Sequence, residues 1–438
     1  MLNTNHFIRL ALVVCVSADA APVLYENARI IVDPRRVPME NAAMLVDNGR
    51  IVRVAKKGQL KAANRVDLTG KTIVPAFVDP HIHLGYQKGT TFLGTNVTLE
   101  NAADQLNRYA YAGVSAVMSL GTDPGDLPYQ IRAQQASGKM SGAQLFTAGR
   151  GFAAPNAGPG NTEMRAVPYG VTNQSEARRL VRDEIAHQVN IIKIWVDDRN
   201  GTVKKLEPAL SRAIIDEAHK HRVRVIAHVY YLEDAKQLAE MGVDAFAHLV
   251  RDQEMDDATV ALIRQRKIFN MPNMGIAESR TTSTPPPWLD EPLFRVVTPA
   301  ALIERVRASY RGQSVENTRQ TYAIMQRNLM KLHKAGALIG FGADSGAVPD
   351  YFHAFTTHRE LEVMTNAGLS PAEALTSVTV SSAAFLKLAD RGTLETGKRA
   401  DFIVLDANPL DNIANTRQIH SVYFKGQMLD RAALAKSF

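Results

Sequence analysis

The sequence predicts an α/β fold: a (β/α)8 barrel of the TIM type, with a small β-sandwich domain built from both chain ends. Three observations predict it. Through the middle of the chain, short apolar runs of strand character alternate with amphipathic helical stretches. The runs number eight, the count at which a parallel sheet closes on itself. On either side, the pattern changes to short strands joined by tight turns. The length of 438 residues allows about three domains, but α/β barrels run to about 250 residues or more as one unit.

Residues 1–20 read as an export signal. Arg9 is the only Lys or Arg before the short apolar run 10–16, and Ala18-Asp19-Ala20 fits a small-x-small cleavage pattern. The run is too short to span a bilayer. A mature chain beginning near Ala21, periplasmic or secreted, is therefore expected; the alternative is a cytoplasmic protein with a frayed first strand. Cys15, the only cysteine, falls inside this segment, so the mature chain would carry no disulfide and no thiol nucleophile.

Residues 22–69 read as short alternating strands, and runs 42–46 and 50–54 flank Asp47-Asn48-Gly49, an Asn-Gly hairpin signal. Segments 21–71 and 390–432 are expected to form the composite β-domain, with the barrel spanning 72–389. The barrel strands fall at 72–81, 115–120, 144–148, 190–196, 224–228, 245–248, 268–272 and 338–343. Amphipathic stretches such as 211–221 and 232–241 lie between them. The connection 273–337 is unusually long. It opens on a Ser/Thr tract ending in Pro285-Pro286-Pro287 and continues in helices near 299–309 and 314–335. Connections of that size at the carboxyl face of a barrel are lids or pocket walls.

Charge limits the partners. The 51 basic and 44 acidic residues leave +7 over the whole chain, and no basic block exceeds Lys56-Lys57. Neither nucleic acid nor a membrane is expected as a partner. A small-molecule substrate and a homo-oligomer are.

The chemistry concentrates at strand ends. The first barrel strand closes on Val78-Asp79-Pro80-His81-Ile82-His83, and alternate side chains on a strand share a face. His81 and His83 therefore project together, as two imidazoles able to chelate a metal. A bare pair of this kind also suits two hydrogen-bonded polar residues, so the rest of the chain decides. Lys193 lies among Ile191, Ile192, Ile194 and Trp195 on the fourth strand. His228 ends the fifth, His248 the sixth, and Asp344 follows the eighth. Singly, a histidine is most often a structural hydrogen-bonder, a strand lysine snorkels and an aspartate caps a helix. Together they stand at the carboxyl ends of barrel strands, where barrel active sites are built. That is a metal-site pattern.

On these residues the sequence resembles the amidohydrolase superfamily over nearly its whole length, from the entry segment 74–83 to 392–405 and Asn408-Pro409-Leu410. The resemblance implies a binuclear metal hydrolase. His81, His83 and Asp344 would hold one divalent ion and His228 and His248 a second, with Lys193 bridging them as an N-carboxylated lysine formed with CO2. Zinc is the expected ion, since imidazole with oxygen ligands suits it. A buried ammonium beside two dications would be strongly disfavoured, and a carbamate removes that conflict. A metal-bridging hydroxide would attack a carbonyl carbon, with Asp344 as general base and then general acid.

Within the superfamily the likeness is to Xaa-Pro dipeptidases, imidazolonepropionase-like proteins and ochratoxin amidases. It implies hydrolysis of an amide-type C–N bond in a dipeptide or N-acyl amino acid; carbamate, urea or lactam substrates are the alternative. Mononuclear deaminases carry a glutamate three residues past the fifth-strand histidine, where this chain has Tyr231, and Glu233 comes five past His228. A non-catalytic structural homologue would have lost ligands, whereas all six positions are filled. The peptidases often follow that histidine with glycine; here Val229-Tyr230-Tyr231 stands instead. Tyr230, Tyr231 and Arg251 are candidate substrate contacts, a tyrosine hydroxyl for an oxyanion and Arg251 for a carboxylate. The alternative is that Tyr231 packs in a helix and Arg251 pairs with Asp252 or Asp257.

Overall fold

The structure is a computed structural model that describes residues 21–310, 315–349 and 351–438. The expected export signal and Cys15 lie outside the described residues. Strands from the two ends of the chain meet in one eight-stranded sheet. Val23–Ile30, Met39–Asp47, Arg50–Lys56, Asn64–Asp67 and Thr72–Pro75 are joined there by Phe402–Leu405, Ile419–Phe424 and Gln427–Met428. Asp47 pairs with Arg50 across Asn48 and Gly49, whose φ values of 47° and 73° are those a tight two-residue hairpin requires. Asn27, at φ 64°, breaks the register of the first strand. Its first half then pairs with Asn64–Asp67 and its second half with Thr72–Pro75. Tyr25 packs edge-on to Phe402 and Tyr423, with centroids 5.0 and 5.1 Å away, in a small core of this sheet's own.

The apolar run 72–81, expected as one barrel strand, is two strands in two sheets. Thr72–Pro75 pairs antiparallel with Phe402–Leu405 in the terminal sheet. Phe77–Ile82 alone enters the barrel, paired with Val114–Ser119. The change of partner happens at one residue: the Ala76 N–H donates to Asp401, and the next, Phe77, donates to Gly113. Both pieces are buried on both faces, so the hydrophobic pattern runs on unbroken across the joint.

The barrel strands are Phe77–Ile82, Val114–Ser119, Gln144–Thr147, Ile192–Trp195, Val225–His228, Ala245–Ala247, Phe269–Met271 and Leu338–Ile339. Neighbouring strands pair in parallel. Two seams finish the ring: Asn190 N–H donates to Thr147 O between strands three and four, and Asp344 N–H to His81 O between eight and one. Val78, Met118, Ile226 and Met271 fill the inside, while Leu106, Ile214, Leu238 and Ile263 pack between strands and helices. The eighth strand pairs regularly over only two of the six residues expected. At Gly340 an added Cβ would strike the Phe269 ring, which shows how closely the chain crosses its neighbour there.

Helices follow the strands, and their ends carry ordinary caps. Asn173 accepts from Glu176 N–H, Asp256 from Thr259 N–H, and Ser370 and Glu373 form a capping box. Pro208–Lys220 and Leu232–Met241 lie where the periodicity places them. The long connection contains Gly275–Ser279, Pro292–Val297, Ala300–Ser309 and Glu316–Lys334. After the terminal sheet, Arg431–Ser437 turns back to the barrel, where Phe438 packs 5.6 Å from the Tyr111 ring. Among the described residues, no helix is long and apolar enough to cross a membrane.

Candidate metal centre

All six expected ligands line one cavity of about 530 Å³ at the carboxyl face of the barrel. Two of them sit on strained backbone: His248 at φ 72° and Asp344 at φ 57°, uncommon for residues with a Cβ. Hydrogen bonds hold both in place, from His248 N–H to Asn273 Oδ1 (3.0 Å) and from Asp344 N–H to His81 O (2.8 Å). The strain aims each side chain inward instead of along its strand.

His81 and His83 are oriented from behind. His81 Nδ1 lies 3.1 Å from Asn273 Oδ1, an acceptor, so Nδ1 carries the proton and the Nε2 lone pair faces the cavity. Asn273 is itself fixed by donating to Gly342 O at 2.5 Å. His83 Nδ1 meets Thr122 Oγ1 at 2.7 Å. Both Nε2 atoms then stand 3.1 Å from Asp344 Oδ1. Ligand atoms of His81, His248 and Asp344 lie within 4.8 Å of one another. His81 Nε2 and Asp344 Oδ1 are buried and, among the described residues, have no hydrogen-bond partner. Leaving such atoms unsatisfied costs about 1–3 kcal/mol each, and a cation between them would satisfy both.

The charge states suit that cation. Burial pushes His81 down to about 3 and His228 and His248 well below the ordinary imidazole value, so all three are neutral ligands. Burial alone would raise Asp344, but its contacts with the rings of His81, His83 and His248 bring it below the ordinary carboxylate range. Neutral imidazoles with an anionic oxygen are a donor set for a divalent metal.

Across the cavity, Lys193 is 1% exposed and its ammonium is pushed down to about 7, chiefly by burial. Its Nζ makes no hydrogen bond among the described residues and lies 5.1 Å from the Trp195 ring centroid. Gly121 makes room for it, since a Cβ there would stand 2.8 Å from Lys193 Cγ. The His228 and His248 ring centroids are 4.5 Å apart. His228 Nε2, however, is engaged by Asp197 Oδ2 at 3.0 Å.

The long connection forms a wall of the cavity, through Asn317, Thr321 and Met325 of Glu316–Lys334. Of the three candidate substrate contacts, Arg251 lines the cavity; its Nη1 donates to Val229 O and Leu249 O, and its ring neighbour is Tyr230, 4.6 Å away. Tyr230 and Tyr231 do not line it. Tyr231 is the N-cap residue of Leu232–Met241 and its hydroxyl donates to Asp198 at 2.7 Å, while Tyr230 packs between Tyr231 and Arg251. Glu233 is exposed on that helix, turned away from any role beside His228. The sequence reading missed Asn273, Asp197 and Arg199. The signal was present for the last two: Asp197-Asp198-Arg199 directly follows strand four, at the face where chemistry is built.

The amidohydrolase family profile matches residues 72–429. The chain belongs to that family. An imidazolonepropionase of Deinococcus radiodurans is 24% identical over 406 residues, covering 89% of this chain and 92% of its own. An ochratoxinase of Aspergillus niger is 22% identical over 445 residues, covering 91% of this chain and 84% of its own. The crystal structure of a Xaa-Pro dipeptidase with methionine in its active site superposes with a TM-score of 0.75 at 21% identity, covering 93% of this chain and all of that one. This amidohydrolase is therefore a barrel hydrolase acting on C–N bonds, in a family that binds divalent metals, with a His/Asp group placed to do so.

Proposed function

We propose that this amidohydrolase cleaves an amide-type C–N bond in a dipeptide or N-acyl amino acid, with two divalent ions, zinc first among them. The observation that carries the reading is the pair of orphaned atoms, His81 Nε2 and Asp344 Oδ1, converging on a cavity that arginines also line. His81, His83 and Asp344 would hold one ion, and His228 and His248 the other. Lys193 would complete the second position as a carbamate, for which its desolvated amine is suited: amine plus CO2 gives the anion and a proton. When bound, the ions would acidify a water and polarise the scissile carbonyl.

The chain's own residues do the rest. Asp344 accepts the proton of the attacking water and returns it to the departing amine, which is a poor leaving group unprotonated. Its carboxylate is suited to this because it is held well below the ordinary carboxylate range and is therefore ionised. Arg251 is anchored through Nη1 to two backbone carbonyls, and its remaining N–H groups serve a substrate carboxylate in bidentate fashion. The wall formed by Glu316–Lys334 limits ligand size and excludes water. The test is an assay of the metal-replete full chain against N-acyl amino acids and dipeptides beside carbamates, ureas and lactams. Preference for the carboxylated amides supports the reading; preference for neutral carbamates or ureas overturns the substrate class.

A further inference from the structure

One carboxylate behind the cavity serves two groups at once. Asp197 follows Ile192–Trp195 and is 3% exposed. Its Oδ1 accepts the Arg199 backbone N–H at 2.8 Å, which fixes the carboxylate plane. Its Oδ2 receives His228 Nε2 at 3.0 Å and Arg199 Nη1 at 2.9 Å. Arg199 also donates through Nη2 to Gly158 O at 2.7 Å, and both Arg199 and His228 line the cavity.

An ionised carboxylate only accepts hydrogen bonds. His228 Nε2 must then carry the proton, and the nitrogen left with a lone pair is Nδ1. This reverses the arrangement at His81, whose Nδ1 is tied to Asn273 and whose Nε2 faces Asp344. A partner behind a ligating histidine sets which nitrogen is offered and makes the ring a better donor.

We propose that Asp197 is a positioning residue that couples metal binding to substrate recognition: it fixes the Nδ1-ligating tautomer of His228 and holds Arg199 on the cavity wall, where the guanidinium receives the carboxylate of an N-acyl amino acid or dipeptide together with Arg251. The proposal rests on the two-metal reading above. Asp197 touches neither substrate nor ion. Losing it moves two properties together, whereas losing Arg199 moves only one.

The experiment titrates zinc into the metal-free full-length chain against a competing chelator, for the unmutated protein, Asp197→Ala and Arg199→Met. Steady-state kinetics on an N-acyl amino acid and its matched primary amide follow. Asp197→Ala is expected to leave the first ion's affinity in place and weaken the second by about 10- to 100-fold. It should also raise KM for the acid relative to the amide. Arg199→Met should raise the same KM ratio and leave both metal affinities unchanged. In case Asp197→Ala does not fold, histidine-selective 15N spectra of the unmutated metal-free protein, with His228 assigned through His228→Gln, read the tautomer directly. A proton on Nε2 supports the proposal; a proton on Nδ1 overturns it. Unaltered second-ion affinity in Asp197→Ala, or equal weakening in Arg199→Met, also overturns it. If the unmutated protein takes up only one ion, the two-metal reading itself fails, and the ligand-positioning role falls with it.

Discussion

At the seam of the first and eighth barrel strands, His81 and His83 stand 3.1 Å from Asp344, each held from behind by a neutral partner. Across the same cavity, Lys193 Nζ has no hydrogen-bond partner among the described residues, and His228 Nε2 is turned to Asp197. The first half is assembled by the polypeptide alone. Backbone strain, an asparagine and a threonine aim its atoms at one point. The second half has imidazoles but lacks an anion between them. A lysine cannot be that anion in its ordinary form, because an ammonium is a donor without a lone pair. Under the proposed two-ion reading, the difference separates a half preorganised by folding from a half that carboxylation of Lys193 would complete.

That contrast breaks most readily at Lys193. Lys193→Ala should lose turnover down to background, and short carboxylic acids that stand in for the carbamate should restore part of it. Lys193→Arg should be inactive and not rescued, since a guanidinium neither carboxylates nor ligates. Normal turnover in the arginine variant would contradict a ligand role for Lys193.

The cavity wall gives the next effect. Truncating a buried arginine–carboxylate pair costs about 2–5 kcal/mol, so Arg251→Ala should lower kcat/KM at least about tenfold on carboxylated amides by the same arithmetic. Neutral amides should be far less affected. Equal losses on both, measured side by side, would remove Arg251 from substrate recognition.

A smaller change sharpens the comparison from the preorganised side. A Cβ on Gly342 would sit 2.7 Å from His81 Cβ and 2.8 Å from Asn273 Nδ2. Gly342→Ala should destabilise the fold by about 1–3 kcal/mol through overpacking and weaken the first ion without replacing a ligand. Thermal unfolding and a zinc titration check the two parts. The smallest effect belongs to Tyr231. Tyr231→Phe removes the hydrogen bond to Asp198, worth about 0.5–1.5 kcal/mol, and should leave kcat/KM unmoved.

The ligand-type residues were legible because barrel chemistry collects at strand ends, and His-x-His, Lys193, His228, His248 and Asp344 are polar interruptions of apolar runs. The residues that orient them were not. Asn273 reads as an ordinary loop residue after a strand, and its hydrogen bonds to His81 and Gly342 span 192 and 69 positions of sequence. Asp197 and Arg199 read as a polar loop until the fold brings His228 beside them. The joint between the terminal sheet and the barrel was hidden for a different reason. A strand buried on both faces has no period to show where it changes partner. Tyr230 and Tyr231 were misplaced because adjacency to His228 in sequence is not adjacency in the cavity. Three residues after the strand ends, at Tyr231, the chain already caps a helix.

The central claim is an unequal two-ion centre, and counting zinc per chain in the unmutated protein and in Lys193→Ala tests it most directly. Elemental analysis after equilibrium dialysis against zinc should find close to two ions in the first and close to one in the second, with the remaining ion lost on further change of His81 to Ala. Fewer than one ion in the unmutated protein, or the same two in Lys193→Ala, would contradict it.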